Sequence, residues 1–394
     1  AKRSDVEVLR IAPERRKDTD DIAEIDVHDL DYPATTNAAK LAQKVNVSAL
    51  DRMTVVFATY QSIQVLADAQ AKHAMPEFDL IICDEAHRTT GATFPGEDQS
   101  NFVKVHDQSF LAGRKRLYMT ATPRVFGETV KAKANEASVE LSSMDNEALY
   151  GPTFFTRGFG WAVENDLLTD YKVIVLAVDE GMVSASIQKR LSDAQNELKL
   201  DDATKIVGCY KALTKAGLRE DVAADPDPMH RALAFCRDIA SSKLICDEFA
   251  AVVRDYLASD EGKEVEDGRT ALACELKHVD GTFGAKARTE RLDWLKAEAA
   301  DDACRILSNA RCLSEGVDVP ALDAILFLHP RKSQIDVVQS VGRVMRRSPG
   351  KKMGYVILPI GVPAGMTPEE ALDRQDAAAI ASGRISWPDP AAQA

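Results

Sequence analysis

Short apolar runs recur along the 394-residue chain, separated by stretches with helical spacing, and several of the runs stop abruptly at polar side chains. Leu80, Ile81, Ile82 and Cys83 follow one another without polar alternation, a pattern that suits a strand covered on both faces in a parallel α/β sheet. Two related runs flank it. Thr54–Ser62 reads TVVFATYQS and Arg116–Pro123 reads RLYMTATP, each a strand ending in small hydroxyl or amide residues. Downstream, Tyr171–Val178 is a strand, Ser184–Leu218 reads as helical, and the charged, proline-bearing stretch Arg219–Pro228 marks a boundary. The pattern then resumes with strands at Ala232–Cys236, Cys304–Ser308, Ala324–Leu328 and Gly354–Leu358 and an amphipathic helix over Ala240–Leu257. The prediction is an α/β fold with two parallel-sheet lobes. The first lobe occupies residues 1–150 and the second residues 229–360, with a C-terminal extension over 361–394. Between the lobes lies a connector with a helical insertion, residues 151–228, which opens on Phe154, Phe155, Phe159 and Trp161.

The central apolar run ends in Asp84-Glu85-Ala86-His87. Carboxylates at the carboxyl end of such a strand face the crevice where parallel sheets bind ligands. Asp84 is placed to hold Mg²⁺, directly or through its water shell, because that ion favours one or two carboxylates together with phosphate oxygens. Glu85 then serves as base for an attacking water, and His87 sits close enough to sense a terminal phosphate. A plainer reading makes Asp84 and Glu85 a helix N-cap and a first-turn acid. Thr120 and Thr122, at the end of RLYMTATP, can bond the carboxylates of a neighbouring strand. In Gln339–Arg347, QSVGRVMRR, the spacing of three lets Arg343 and Arg346 point the same way from one helical face. Cations so placed can stabilise leaving phosphates, and a solvated basic helix fits the same string equally well.

Composition narrows the setting. A net charge of −13 excludes a generally basic nucleic-acid coat, yet Arg331–Lys352 holds seven Lys/Arg against one acid, a local net of +6 (7 − 1). Seven cysteines, with no CxxC pair and with Cys83 and Cys236 inside apolar runs, point to reduced thiols in a cytoplasmic setting and to neither zinc nor a disulfide frame. No apolar run approaches the roughly 18–20 residues needed to span a bilayer, so no membrane partner is expected. Asp260–Asp267, DEGKEVED, reads as a solvated loop.

Taken in order, TYQS, DEAH, TAT, SEGVD and QSVGRVMRR resemble the motor core of superfamily 2 helicases and translocases. More narrowly, PATTNAAKL at Pro33–Leu41, the stretch PEFDLIICDEAHRTTGATFPGED and LLTDYKVIVLAVDE at Leu167–Glu180 are similar to the helicase segment of type ISP restriction-modification enzymes. The resemblance implies two RecA-like lobes and a nucleic-acid-dependent ATPase with ATP and Mg²⁺ as cofactors. It implies DNA as the track, and nuclease and methyltransferase domains elsewhere in the same protein. Residue by residue, it makes Asp84 the Mg²⁺ ligand, Glu85 the catalytic base, His87 the γ-phosphate sensor, and Thr120 and Thr122 the coupling motif. Gly316 and Asp318 match a loop touching ribose and interlobe contacts, and Gln339, Arg343 and Arg346 match groups facing the triphosphate from the second lobe. Thr59, Ser308 and, within HVDGTFGAKAR, Arg288 match nucleic-acid contacts.

One part of that pattern is missing: the 394 residues include no GxxxxGKS or GxxxxGKT string. That loop supplies the backbone N–H groups and the lysine that hold the β- and γ-phosphates. The expectation is therefore an N-terminally truncated fragment, its first lobe lacking the phosphate-loop strand and unable to hydrolyse ATP efficiently. The same gap predicts an unpaired apolar edge around Leu117–Met119. The alternative is a non-hydrolysing nucleic-acid-binding or scaffolding module of the same fold, which has no need of both acids and both arginines.

Overall fold

The computed structural model describes residues 6–10, 35–48, 53–93, 100–137, 139–181, 183, 187, 198–215, 227–259, 262–263, 271–310, 313, 319–329, 334–363, 365–367 and 370. The chain divides into two units, Ala1–Thr156 and Arg157–Ala394.

The strands of the first unit are β1 (Val6–Arg10), β2 (Met53–Phe57), β3 (Ile81–Cys83), β4 (Gly91–Thr93), β5 (Arg116–Tyr118) and β6 (Glu140–Ser142). β1 pairs with β2 and β3 with β5, both parallel, and β4 pairs antiparallel with β6. Ile82 lies opposite Leu117 in the β3–β5 register. Because strand side chains alternate, Ile81, Cys83 and Tyr118 turn to a core with Leu41, Leu66, Met75 and Leu111, while Ile82 turns away. The double covering expected of this run is not found on that second side. Leu80 and Ile82 are 49% and 55% exposed, and Met119 is 42% exposed. Among the described residues β3 is the strand paired with β5.

The second unit is one six-stranded parallel sheet in the order β7–β12–β11–β8–β10–β9. Its strands are β7 (Tyr171–Asp179), β8 (Arg231–Phe235), β9 (Ala273–Val279), β10 (Ala303–Asn309), β11 (Ala324–Phe327) and β12 (Gly354–Val362). In the central strands β8, β10 and β11 double covering is achieved. In β8, Ala232 and Ala234 face a core that includes Ile306, Leu326 and the helices Leu200–Leu213 and Ile239–Leu257. Leu233 and Phe235 face the other, with Leu307, Ile325, Phe327 and Val344. Each such Leu or Phe contributes about 1.5–3 kcal/mol on burial. Gly208, in mid-helix, lets Leu200–Leu213 lie against β7 and β12: an added Cβ would stand 2.9 Å from both Pro359 and Val178.

β7 and the helix Leu200–Leu213 belong to this second unit, so residues 157–228 are not a separate connector as far as they are described. β12 also runs past the expected end at Leu358, through Pro359 to Val362. β11 pairs with β12 only as far as Ile357, so Pro359 falls where one side of the strand owes no ladder bond. Strand β9 and the helix Ala285–Lys296 were not anticipated. Trp387 and most of Asp260–Asp267 lie outside the described residues. No described helix is long and apolar enough to cross a membrane.

A one-sided core should open more readily than a two-sided one. Amide hydrogen exchange is expected to be faster in β3 and β5 than in β8, β10 and β11; equal protection in the two units would contradict this.

Candidate active site

The short strand β3 delivers Asp84 and Glu85 at its carboxyl end. Asp84 is exposed, and its Oδ1 accepts from the backbone N–H of Glu85 at 2.9 Å. Glu85 has φ 49° and ψ 44°, the left-handed region that a non-glycine residue rarely occupies, and it starts the 3₁₀ turn Ala86–Thr89. The turn holds because the β3–β5 ladder continues past both strands: Met119 N–H donates to Cys83 O and Ala86 N–H to Met119 O, each at 2.9 Å.

His87 is buried, and its Nδ1 is the meeting point of the site. Thr120 Oγ1 lies 3.1 Å away, Thr122 Oγ1 3.5 Å and the Glu85 carboxylate 3.4 Å. The two threonine hydroxyls therefore reach the imidazole, and not simply the carboxylates as the sequence suggested. The imidazole in turn touches the carboxylate. Thr122 N–H donates to Thr120 Oγ1 at 3.1 Å, which fixes the turn that presents both hydroxyls. One ring thus joins Glu85 to the loop after β5.

Two supports of this site were not read from the sequence. The Tyr60 hydroxyl donates to the Asp84 carbonyl at 2.8 Å, so TYQS braces the acid motif, while Thr59 is exposed with its hydroxyl 3.1 Å from that of buried Ser62. Below the turn lies a buried polar cluster. His106 Nε2 stands 3.1 Å from the Thr89 carbonyl, which can only accept, so Nε2 carries the proton and Nδ1 accepts from the Tyr118 hydroxyl at 2.8 Å. Burial pushes His106 below its ordinary value, in keeping with a neutral ring. Thr89 donates to Ala86 O at 2.8 Å, which leaves the Tyr150 hydroxyl to donate to Thr89 at 3.0 Å. Beside Asp84, burial pushes the Cys83 thiol up to about 11, against opposing contributions from Tyr60 and Arg116. It is a packing residue, not a nucleophile.

In the second unit, Gln339 and Arg343 lie on the helix Gln334–Val344, Gln339 half-buried and Arg343 buried. That helix is assigned as far as Val344, and its turn is continued by Met345 N–H to Val341 O at 3.2 Å and by Arg346 N–H to Arg343 O at 3.3 Å, so Arg346 stands half-buried in the closing turn. Gly316 and Asp318 lie outside the described residues. Arg288 is half-buried, and its Nε donates to the Phe283 carbonyl at 2.8 Å.

Ser308 requires a correction. It is fully buried, its hydroxyl donating to the Ser242 carbonyl at 3.0 Å and lying 2.5 Å from Ser242 Oγ. An enclosed hydroxyl cannot touch a nucleic acid directly. It belongs instead to a buried relay between two strand ends and a helix: Ser242 Oγ is 2.7 Å from His278 Nδ1, and His278 Nε2 is 2.9 Å from the Asp280 carboxylate. Asp280 also accepts from Thr282 N–H at 2.8 Å and from its hydroxyl at 2.5 Å. Burial by itself would raise the Asp280 carboxyl, but the bonds from Thr282 and His278 outweigh it and hold the group at about 2 against an ordinary 3.8.

As regards a cofactor, a single exposed carboxylate at a strand tip, followed by a second acid and a buried imidazole, is a donor set that fits Mg²⁺ bound mainly by water and phosphate. It does not suit a closed all-protein metal cage.

Comparison with known proteins finds matches over both halves of the chain. Residues 16–125 match the family described as type III restriction enzyme, res subunit, and residues 226–348 match the helicase conserved C-terminal domain. Among solved structures, the ATP-dependent type ISP restriction-modification enzyme LlaBIII bound to DNA is 41% identical, with a TM-score of 0.74 over 92% of this chain and 23% of that one. A nuclease-deletion mutant of the type ISP enzyme LlaGI, in complex with a DNA substrate mimic, is 33% identical with a TM-score of 0.52, over 94% of this chain and 22% of that one. A curated protein named as a probable helicase of African swine fever virus (isolate Tick/South Africa/Pretoriuskop Pr4/1996) is 27% identical over 331 residues, 83% of this chain and 30% of the relative. The chain thus spans less than a third of the length of each of these proteins.

The Asp280 carboxylate contributes stability that is present above pH 3.8 and lost as the pH falls towards about 2, because its folded pKa is depressed. Urea unfolding across that range should show Asp280→Asn with a shallower acid dependence than the parent; an unchanged slope would contradict the relay.

Proposed function

Since the chain carries a res-subunit domain followed by a helicase C-terminal domain, the two halves of a superfamily 2 helicase core, we propose that it is the ATP-driven motor segment of a DNA helicase or translocase. The observation that carries the proposal is the joining of His87 to Glu85, Thr120 and Thr122 directly behind Asp84. A phosphoryl-transfer site has little covalent chemistry to perform and works by placing charge, base and sensor with fixed geometry. Mg²⁺, when bound, supplies charge neutralisation between the phosphates. Asp84 would hold it. Glu85, kept in a left-handed conformation by the turn that follows, would orient the attacking water and take its proton. His87 would report the state of Glu85 and the terminal phosphate to Thr120 and Thr122, whose hydroxyls it already meets.

For the second unit the proposal gives Gln339, Arg343 and Arg346 to the triphosphate, and Gly316 and Asp318 to a loop touching the ribose and interlobe contacts. Thr59 and Arg288 are proposed DNA contacts; Ser308, being buried, would act by holding the end of β10. DNA as the track, a cytoplasmic setting, and nuclease and methyltransferase domains elsewhere in the whole protein complete the reading. The two type ISP enzymes with which the chain shares its fold were solved with DNA or a DNA mimic. Residues 1–394 by themselves are proposed to hydrolyse ATP poorly, because they include no GxxxxGKS or GxxxxGKT string.

In the whole protein that carries these residues, Glu85→Gln should lower the kcat of DNA-stimulated ATP hydrolysis by about 100-fold or more while ATP affinity stays within a few-fold. Retained turnover would remove Glu85 as the base. Robust DNA-stimulated ATPase from residues 1–394 alone would overturn the reading of the isolated segment.

A further inference from the structure

We propose that Lys351 is a positioning residue for the arginine pair: together with Thr169 it holds the carbonyls that end the helix Gln334–Val344 and so sets where the Arg343–Arg346 segment stands. This rests on the proposed role of those arginines in ATP hydrolysis.

A helix leaves its last carbonyls without partners inside the helix, and the common solution is a glycine in the left-handed conformation just past the end. No glycine stands there. The helix runs into Met345, Arg346 and Arg347, and the carbonyls there are satisfied from two points, Lys351 just downstream and Thr169 far upstream in the chain. Lys351 Nζ donates to Val344 O at 2.6 Å, to Arg346 O at 3.0 Å and to Pro320 O at 3.3 Å. Thr169 donates to Met345 O from its backbone N–H at 2.7 Å and from its hydroxyl at 2.9 Å; the hydroxyl also lies 3.2 Å from Arg346 O. All three successive carbonyls from Val344 to Arg346 are therefore held.

An ammonium has three donors, and here three carbonyls surround it. A cation at a helix carboxyl end is also favoured by the helix dipole. Delivery of the ammonium depends on a tight reversal: Lys351 N–H donates to Ser348 O at 3.1 Å, with Pro349 and Gly350 between them and Gly350 at φ +79°. Proline followed by a glycine of positive φ is the arrangement of a type II turn, and it returns the chain beneath the helix it has just left. Gly354 then allows β12 to begin against that same helix end, since an added Cβ would stand 2.5 Å from Val344 O.

The arrangement bears on chemistry because Arg346 stands in the closing turn of the helix, where its N–H reaches Arg343 O at 3.3 Å. Lys351 and Thr169 add to that single long bond by holding the carbonyl side of the turn. Lys351 also bonds the carbonyl of Pro320, the last residue of SNARCLSEGVDVP, so one ammonium joins the ends of two segments to which nucleotide roles are given. A guanidinium, planar and forked, would not reproduce three carbonyl bonds around one nitrogen.

The test is a double-mutant cycle on DNA-stimulated ATP hydrolysis in the whole protein. Lys351→Met is expected to lower kcat by about tenfold or more with KM for ATP changed by less than about threefold, and to have no further effect in an Arg346→Ala background. Lys351→Arg should restore little. Thr169→Val, which removes only the hydroxyl, should give a smaller loss of the same kind and carries the test should Lys351→Met not fold. Additive losses in the cycle, or an unaffected Lys351→Met protein beside an impaired Arg346→Ala protein, overturn the positioning role alone. An Arg346→Ala protein with full kcat overturns the arginine assignment, and the positioning role with it.

Discussion

Parallel strands bring all their carboxyl ends to one edge of the sheet, and whatever polar chemistry they carry must be placed there and satisfied there. A strand that is apolar along its length has no other position for a carboxylate or an imidazole. Once such groups are packed beneath neighbouring segments, leaving one without a partner costs about 1–3 kcal/mol. The polar ends of these strands therefore come as networks, and the networks decide which side chains can act outward and which are held inward.

The two units use the constraint differently. In the first, one imidazole gathers two hydroxyls and a carboxylate, and Asp84 is left exposed at the tip. The cluster of His106, Tyr118, Tyr150 and Thr89 supports the turn from below, and rings 4.8–5.3 Å apart fill the space between them. In the second, the relay from Ser308 through Ser242 and His278 to Asp280 is enclosed and ties the ends of β9 and β10 to the helix Ile239–Leu257. The first network leaves an acid exposed at a strand tip, whereas the second fixes the frame on which a loop and a helix are carried. The capture of the Val344–Arg346 carbonyls by Lys351 and Thr169 follows the same rule at a helix end.

Much of this was legible in the chain because apolar runs and acid motifs are local. FDLIICDEAHRTT predicts strand, tip and acids from thirteen consecutive residues, and ALAFC predicts a strand. What was not legible depends on partners far apart in sequence. Tyr60 and Asp84 are 24 residues apart, Thr89 and Tyr150 are 61 apart, and Thr169 and Met345 are 176 apart. Motif position also says nothing of exposure, which is why Ser308 read as a contact when its hydroxyl is enclosed. The helix Ala285–Lys296 is hidden in the sequence because its charged residues are spread around it with no clean apolar stripe. β12 is hidden in part because Pro359 signals a strand end, and only the early stop of β11 makes the proline harmless.

The central claim is that nucleotide chemistry takes place at the carboxyl end of β3. It is tested most directly by determining the structure of the whole protein with Mg²⁺ and a non-hydrolysable ATP analogue. The account predicts the metal on Asp84, directly or through water, the terminal phosphate beside Glu85, and His87 still joined to Thr120 and Thr122. Metal and phosphates bound elsewhere in the protein, with Asp84 and Glu85 facing solvent alone, would contradict it.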